Sequence, residues 1–344
     1  MRLSPLQSSS TALRVGSIAF LWLCVITVLH AALNGETRQP STIRMGYMPV
    51  ITNLAAPLAD HFSKDGTPSF EALKFGSFSE MAEAFRSRHI QAAFIIAPVA
   101  IALYQQGVPL KVVYVGNRHE STLVVAKGLA AKSIAELAGR TIAVPIRYSG
   151  HLLALKRSLR LHGLGDESLR IVELPPPDMP GALASASVDG YFVGEPFASK
   201  ALLTGTGRAL MDVEEIWPGF ICNLMIVQED LVKDHPQWVQ RLVSTAVNSG
   251  FWARDHMEEA VQIVSRYWGQ DPEVIRYAFS RIPGRVRFDL YSPVEAELLE
   301  MGREMLQAGL LNGELHLSGM VDDRFAQQVD LSSSYSFENI QAVK

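Results

Sequence analysis

Short apolar runs alternate with amphipathic segments through the first two thirds of the chain, which predicts strands followed by helices. The predicted strands are residues 43–48, 70–75, 91–96, 111–116, 121–127, 140–145, 169–174, 189–194 and 220–227. The predicted helices are residues 54–62, 79–88, 98–106, 134–137, 150–162, 179–187 and 196–203, with Ser79 as the N-cap of the second. This β-α-β order is typical of a parallel sheet covered by helices on both faces.

A helical period dominates after Leu231, with apolar faces predicted over residues 236–255, 257–268, 272–280 and 293–309. Two α/β sets followed by a helical block predict an α/β protein with two lobes, a cleft between them and two crossing strands. The crossing strands are STLVVAK and FICNLMIV. The predicted parts are 43–123 and 224–330 for lobe one, 124–223 for lobe two and a polar tail at 331–344.

The N-terminus carries a separate signal. Arg2 and Arg14 precede Val15–Leu33, nineteen residues without a charge, and the polar stretch NGETRQPST follows. This pattern is typical of an export signal, although the chain lacks the small residue that a cleavage site requires three positions before the cut. Nineteen apolar residues also nearly span a bilayer. Residues 1–35 are therefore predicted to be a signal peptide or an uncleaved anchor, and the protein to lie in the periplasm or on the outer face of the cytoplasmic membrane.

Composition and charge exclude some classes of protein. The 344 residues are 48 % hydrophobic and 19 % charged with a net charge of −4, which is ordinary for a globular protein and gives no footprint for nucleic acid. Cys24 lies in the apolar N-terminal segment, so Cys222 has no disulfide partner in the rest of the chain. We interpret Cys222 as a buried apolar residue.

Motifs for catalysis are missing. The chain has no G-x-x-x-x-G-K-[ST] loop, no G-x-G-x-x-G after a strand and no G-x-S-x-G elbow. Its nine histidines lack metal-ligand spacing, and GTGR at 205–208 is interpreted as a turn. The sequence predicts no enzyme activity, no cofactor and no metal.

Polar residues collect instead where predicted strands end, and open α/β sheets bind ligands there. The candidate ligand-binding residues are Thr52, Asn53, Ser77, Phe78, Asn117, Arg147, Tyr148, Ser149, His151 and Glu195. In RYSGH (147–151) a cation stands beside a helix N-terminus, whose N–H groups favour anions. We expect Arg147 to face the cleft, Ser149 to cap the helix and Gly150 to allow close backbone approach. Ser149 as a cap alone, Arg147 as an interlobe ion pair and His151 as an ordinary satisfied histidine remain open alternatives, as does a structural Glu195 at its helix.

Three stretches carry a resemblance to a known family. VDGYFVGEPFASKA (188–201), the preceding LPPPDMPGALASASVDG and the later IWPGFICNLMIVQEDLVKDHP resemble substrate-binding proteins of nitrate/sulfonate/bicarbonate-type ABC importers, the NMT1/THI5-like group. The similarity runs from Ile43 to Ala326. Phe197 stands where nitrate and bicarbonate members commonly have Trp, and Ser149-Gly150 reproduces half of the loop usual in sulfonate members.

The resemblance implies a periplasmic-binding-protein type II fold that closes on a small solute. Ligand contacts would come from Thr52–Asn53, Ser77–Phe78, Arg147–His151 and Glu195. The implied solute is a small anion such as nitrate, bicarbonate or a sulfonate; a thiamin-precursor pyrimidine, or a biosynthetic relative of the fold, is the alternative. The implied partners are the permease and ATPase subunits of an importer, and the membrane if residues 1–35 are uncleaved, with a monomeric chain and no nucleic acid.

Overall fold

A computed structural model describes residues 6–34, 42–64 and 66–331. Residues up to Ser41 form one unit, which contains helix α1 (Leu6–Asn34), and residues from Thr42 onward form the other. The side chains described in α1, from Val15 to Leu29, are exposed. Within the described residues no helix combines the length and apolarity that a membrane crossing requires. The predicted polar tail lies, apart from Leu331, outside the described residues.

The described part of the second unit contains ten strands in two sheets of five. The strands are β1 (Thr42–Tyr47), β2 (Ser69–Lys74), β3 (Ala92–Ile96), β4 (Leu110–Val115), β5 (Ser121–Ala126), β6 (Thr141–Val144), β7 (Arg170–Glu173), β8 (Gly190–Gly194), β9 (Gly207–Asp212) and β10 (Asn223–Gln228). The helices are α2 (Ala55–Phe62), α3 (Phe78–Arg86), α4 (Ala97–Gln105), α5 (Gly150–Leu161), α6 (Met179–Ala184), α7 (Phe197–Leu203), α8 (Val213–Ile216), α9 (Glu229–Asp234), α10 (Pro236–Asp255), α11 (Met257–Trp268), α12 (Pro272–Ser280), α13 (Glu295–Gln307) and α14 (Arg324–Gln327).

The first sheet has the order β2-β1-β3-β10-β4 and the second the order β7-β6-β8-β5-β9. In each sheet the first three strands are parallel, and the fourth is antiparallel to both of its neighbours. The prediction of parallel sheets is therefore wrong for β10 and β5. Strand direction depends on which connection crosses the molecule, and the hydrophobic pattern does not record it.

The chain passes from one sheet to the other twice. It leaves β4 of the first sheet and enters β5 of the second through residues 116–120, and it returns through residues 217–222 before β10. The two predicted crossing strands are thus members of the sheets, and the short segments before them make the crossings. The predicted lobe boundaries stay a prediction.

Local sequence explains most element ends. Ser149 caps α5, because its hydroxyl accepts a hydrogen bond from the Leu152 N–H at 3.2 Å. The cap of α3 is Ser77, not the predicted Ser79, and its hydroxyl accepts from the Glu80 N–H. Helix α11 ends at Gly269, whose φ of 67° suits a left-handed C-cap. GTGR leads into β9, so the prediction of a turn there missed a strand.

The apolar core has two parts. One lies between the first sheet and helices α2, α10 and α11, where Tyr47, Phe94 and Trp268 are buried. The other continues from the opposite face of the first sheet into the second sheet, through Ile96, Leu123 and Phe192 among others. Because one core runs through both sheets, the strand ends between them are shielded from solvent.

Candidate binding site at the strand ends

A buried polar cluster lies where strands of the two sheets end and the chain crosses between them. We call it the strand-end cluster; its members are Thr52, Asn117, Glu120, Ser121, His151, Glu195 and Cys222, each at most 6 % exposed. Strand register explains part of the arrangement. Ser121 of β5 pairs with Gly194 of β8, so the next residues outward, Glu120 and Glu195, meet at the edge of the second sheet.

Glu120 accepts hydrogen bonds on both carboxyl oxygens. The Ser121 hydroxyl donates to Oε1 at 2.9 Å, and the backbone N–H of Glu195 donates to Oε2 at 2.7 Å. Burial raises the pKa of Glu120, and the donors around it, the Cys222 thiol among them, offset part of that rise. A sharp turn delivers Glu120 to this place, since His119 has a φ of 65°, an unusual conformation for a residue other than glycine.

His151 continues this chain of hydrogen bonds. Its Nε2 lies 2.9 Å from the Ser121 hydroxyl oxygen. Burial lowers the pKa of His151 to about 3, so the imidazole is neutral at pH 7. Because Ser121 gives its proton to Glu120, its oxygen accepts from His151 Nε2–H, which leaves Nδ1 as an acceptor. The preceding Gly150 admits the Phe220 ring, which would lie 2.6 Å from an added Cβ. Gly150 therefore allows close packing of a side chain.

Glu195 joins the two sheets. Its backbone oxygen accepts from the Ile51 N–H at 2.9 Å, and Ile51 follows β1 of the first sheet. Its carboxyl Oε2 accepts a hydrogen bond from the Ser199 N–H at 2.8 Å. Glu195 thus caps the first turn of α7, which is the structural role considered for it as an alternative to ligand binding. Burial raises the pKa of Glu195 to about 7. The carboxyl group thus keeps its proton to a higher pH than an exposed glutamic acid does.

Four side chains of the cluster each keep one buried polar atom that makes no hydrogen bond. These atoms are Thr52 Oγ1, Asn117 Oδ1, His151 Nδ1 and Glu195 Oε1. The orientation of the Asn117 amide is fixed, because its Nδ2 donates to the Ile51 carbonyl at 2.8 Å. Buried polar atoms are nearly always paired. Their concentration at the strand ends points to a site that receives a polar molecule.

Two arginines that follow α12, Arg281 and Arg285, border the cluster. Arg281 donates to Asp212 Oδ1 at 2.8 Å, and its Nε lies 3.8 Å from Glu195 Oε1, near enough for an ion pair but too far for a hydrogen bond. Arg285 holds Glu214 with two hydrogen bonds and donates to the Ser121 carbonyl at 2.7 Å. Both guanidinium groups are committed to acids, and they connect the helical block to the second sheet.

Arg147 and Tyr148 lie apart from the cluster. Arg147 is exposed, and it lines a surface depression of about 290 Å³ with Lys156, Asp166 and Glu173. Its backbone N–H donates to the Glu173 carboxylate. The Tyr148 hydroxyl donates to the Leu310 carbonyl. This placement does not match the expectation that Arg147 faces the cleft, and a role for Arg147 in ligand binding stays a prediction.

Asn53, Ser77 and Phe78 have structural contacts in place of free groups. The Asn53 amide donates to the Met48 and Phe94 carbonyls and accepts from Asn223 Nδ2 at 2.6 Å. Ser77 caps α3, and Phe78, the first residue of that helix, is buried in the core. Their role in ligand binding stays a prediction, as does that of Ser149, which serves as a helix cap.

Several residues of the site were missed from the sequence. Arg281, Arg285 and Asp212 received no role, since they pair over 69 or more positions and no local pattern reveals such pairing. Cys222 is buried as expected, but it borders Glu120 and burial raises the pKa of its thiol. The one available signal was Asn117–Ser121, a polar run between two apolar strands. Among the described residues no group of three or more His, Cys, Asp or Glu side chains is arranged to hold a metal ion.

Known proteins share the fold of this chain and part of its sequence. The periplasmic nitrate-binding protein NrtA of Synechocystis PCC 6803 has the same fold, with a TM-score of 0.76, 16 % identity and coverage of 87 % of this chain and 91 % of that one. A putative aliphatic sulfonates-binding protein of Escherichia coli is 22 % identical over 81 % of this chain and 86 % of its own length. The nitrate import ATP-binding protein NrtC of Synechocystis is 24 % identical over 78 % of this chain, which spans 43 % of that relative's length.

A shorter likeness leads to an enzyme. The 2'-hydroxybiphenyl-2-sulfinate desulfinase of Rhodococcus erythropolis is 35 % identical over 81 residues, which is 24 % of this chain and 22 % of the enzyme. The model of the family described as the NMT1-like family matches residues 36–266, about two thirds of the sequence. The fold is that of a periplasmic binding protein, and the chain belongs to the NMT1-like family.

Proposed function

We propose that this protein is the solute-binding component of an ABC importer, which encloses a small solute between its two sheets and delivers it to a permease. The observation that carries the proposal is the strand-end cluster. It gathers unpaired polar atoms from both sheets, Thr52 and Asn117 on one side and His151 and Glu195 on the other. A site whose binding atoms come from both sheets would open and close as the sheets move apart and together, as in hinged receptors.

The proposed location is outside the cytoplasm, in the periplasm or on the outer face of the cytoplasmic membrane. Helix α1 with its run of exposed apolar side chains supports this, as do the relatives whose names describe periplasmic binding. The proposed partners are the permease and ATPase subunits of an importer, with a monomeric receptor. Cell fractionation tests the location: deletion of Val15–Leu33 should leave the protein in the cytoplasm, and equal distribution of both forms would contradict export.

The proposed solute is small enough to be enclosed by the cluster. The sequence predicts a small anion, and the names of the relatives supply nitrate, bicarbonate and aliphatic sulfonates as the first compounds to test. A ligand at 100 times its dissociation constant stabilises the folded state by about 2.7 kcal/mol. A panel of small solutes of either charge can therefore be screened by the rise in unfolding temperature.

Closure around a bound solute distinguishes a receptor from a protein that merely holds a small molecule. We expect small-angle scattering to give a smaller radius of gyration with a stabilising solute than without it. The matched control is His151→Phe, which fills the strand-end cluster with an apolar ring and should abolish both the stabilisation and the compaction. Profiles that superimpose with and without a bound solute would contradict the receptor role.

We propose binding without catalysis. The thiol of the strand-end cluster is that of Cys222, and burial raises its pKa, so it is protonated at neutral pH. The thiolate is the nucleophilic form of cysteine. His151 is neutral and donates to Ser121, so it supplies no cation to stabilise a thiolate. Incubation with an aryl sulfinate should release no sulfite, and release that Cys222→Ser abolishes would establish an enzyme instead.

A further inference from the structure

The strand-end cluster offers hydrogen-bond acceptors to whatever it binds. Asn117 Oδ1 is an acceptor because the Ile51 carbonyl fixes the amide, and His151 Nδ1 is an acceptor because Nε2 donates to Ser121. Glu195 Oε1 is the third, and all three side chains are at least nine-tenths buried. The hydroxyls of Thr52 and of Ser199, which is buried beside Glu195, also make no hydrogen bond, and each can donate or accept. The unpaired groups of the site are thus mostly acceptors.

The charged side chains around the cluster also favour a ligand that donates hydrogen bonds. Within the described residues, Glu120, Glu195, Asp212 and Glu214 contribute four carboxyl groups, and Arg281 and Arg285 contribute two guanidinium groups that are already bound to Asp212 and Glu214. Arg118, the other cation near the crossing, is held by both oxygens of Glu297 and by the Gly219 and Leu290 carbonyls. Among the described residues, an ionised oxyanion at this site would meet acceptors and carboxyl groups, and the guanidinium nearest to it, that of Arg281, is already paired with Asp212 and Glu195.

We propose that the strand-end site selects a small nitrogen-bearing solute, a cation or a neutral amide, that donates N–H groups to Glu195, Asn117 and His151. This inference rests on the proposed receptor function and replaces its anionic solute with a donor. Glu195 is the specificity-determining residue, because its Oε1 makes no hydrogen bond, lies 3.8 Å from Arg281 Nε and is the one acceptor of the three that belongs to a carboxyl group. A donor such as an amidinium pairs with a carboxylate in a parallel, charge-assisted geometry.

Isosteric probe pairs test the polarity of the site directly. Guanidinium and nitrate are both planar and trigonal, but the first presents only donors and the second only acceptors; benzamidinium and benzoate form a second pair. Calorimetric titration of the full chain should show the cation of each pair binding at least tenfold more tightly than its anion. Tighter binding of nitrate or benzoate would overturn the inference while leaving the receptor role in place.

Substitution of Glu195 then locates the selectivity. Glu195→Gln keeps the size of the side chain and its acceptor oxygen but removes the charge, so benzamidinium binding should weaken by tenfold or more. Glu167→Gln changes an exposed carboxylate and should leave binding unchanged. An unchanged affinity in Glu195→Gln, or a gain for benzoate in the absence of any loss for benzamidinium, would remove Glu195 from the site and overturn the inference.

Proton release gives a second readout that needs no variant. The charged and titratable groups facing Glu195 are Glu120, Arg281, Arg285 and Tyr191. A bound cation favours the ionised carboxyl of Glu195, whose pKa stands at about 7, so binding at pH 7 should release protons and strengthen between pH 6 and pH 8. Proton uptake on binding would overturn the inference. If all four probes fail to bind, this inference fails, whereas the receptor role fails only if closure is absent with every solute of the wider panel.

Discussion

The two sheets share one topology but place different chemistry at the same position. In each, an antiparallel strand contributed from across the molecule is fourth in the order, next to the third parallel strand. In the first sheet the residues at this junction are Ala97 and Cys222, joined by a backbone hydrogen bond; in the second they are Glu195 and Glu120, joined in the same way. The junction of the first sheet thus has an apolar pair of residues, whereas the junction of the second sheet has two buried carboxyl groups. Two carboxyl groups in so protected a place cost stability, which supports a role for them in binding.

The strand before each junction shows the same contrast. After β1 the Asn53 side chain uses its amide to tie the loop to β3 and β10. After β6 the first turn of α5 supplies His151, which keeps one nitrogen unpaired. From this comparison we infer that the first sheet forms a rigid wall of the candidate site and that the second sheet provides most of the groups that select the solute. The predictions below test this division, beginning with the contact that joins the two regions.

Loss of Arg285 should have the largest effect on stability. The Arg285 side chain is 6 % exposed, and its removal leaves Glu214 and the Ser121 carbonyl without the donors that it supplies. Breaking a buried ion pair costs about 3–5 kcal/mol, so Arg285→Met should lower the free energy of unfolding by about 3 kcal/mol in urea titrations. Arg287→Met is the control, since Arg287 is exposed and paired within its own loop. Equal, small losses in both variants would show that Arg285 does not anchor the second sheet.

Asn53→Ala should come next, with a loss of about 2 kcal/mol. The substitution removes donors from two buried carbonyls and the acceptor of Asn223, and each unsatisfied buried group costs about 1–3 kcal/mol. Asn312→Ala at an exposed position serves as the control. Thermal unfolding measures the loss, and benzamidinium affinity should change little in the folded variant. A large loss of affinity with unaltered stability would move Asn53 from the wall to the binding groups.

Sequence patterns predicted the elements far better than the site. The strongly buried runs of β3 and β8 and the capped helix α5 follow from local composition, and the structure has them within one or two residues of their predicted bounds. Strand β9 is not predicted, because the two glycines of GTGR, at the start of this strand, are more typical of a turn. The sequence pattern favours Arg147 because it is a cation near a helix N-terminus, whereas the candidate site depends on the contact between Glu120 and Glu195. That meeting follows from antiparallel register, which a single sequence does not specify.

The pH dependence of stability separates the two acceptors of the second sheet. The pKa of Glu195 is raised to about 7, so between about pH 4.5 and pH 7 the folded state holds a proton that the unfolded state has lost, and stability falls as pH rises. The pKa of His151 is lowered to about 3, so between about pH 3 and pH 6.5 the unfolded state holds the extra proton and stability rises with pH. The two slopes oppose each other where they overlap.

Glu195→Gln should therefore make stability rise more steeply between pH 5 and pH 6.5, by at most about 1.4 kcal/mol per pH unit. Urea titrations at half-unit steps of pH measure this slope in the variant and in the natural chain. Glu167→Gln is again the matched control, because its carboxylate is exposed. Identical slopes in the natural chain and Glu195→Gln would mean that Glu195 titrates as an ordinary surface acid, contrary to its burial.

Arg147→Ala should have the smallest effect, although the sequence made this residue the leading candidate for the site. Its side chain is exposed, and the contact to Glu173 comes from its backbone N–H, which alanine retains. Surface substitutions of this kind usually change stability by no more than about 0.5 kcal/mol. We expect unchanged affinity for both benzamidinium and benzoate by calorimetry, in contrast to the tenfold loss in Glu195→Gln. A selective loss of benzoate affinity in Arg147→Ala would return a cation to the binding site, and the second sheet would then select anions through its loop after β6 instead of donors through the junction of β5 and β8.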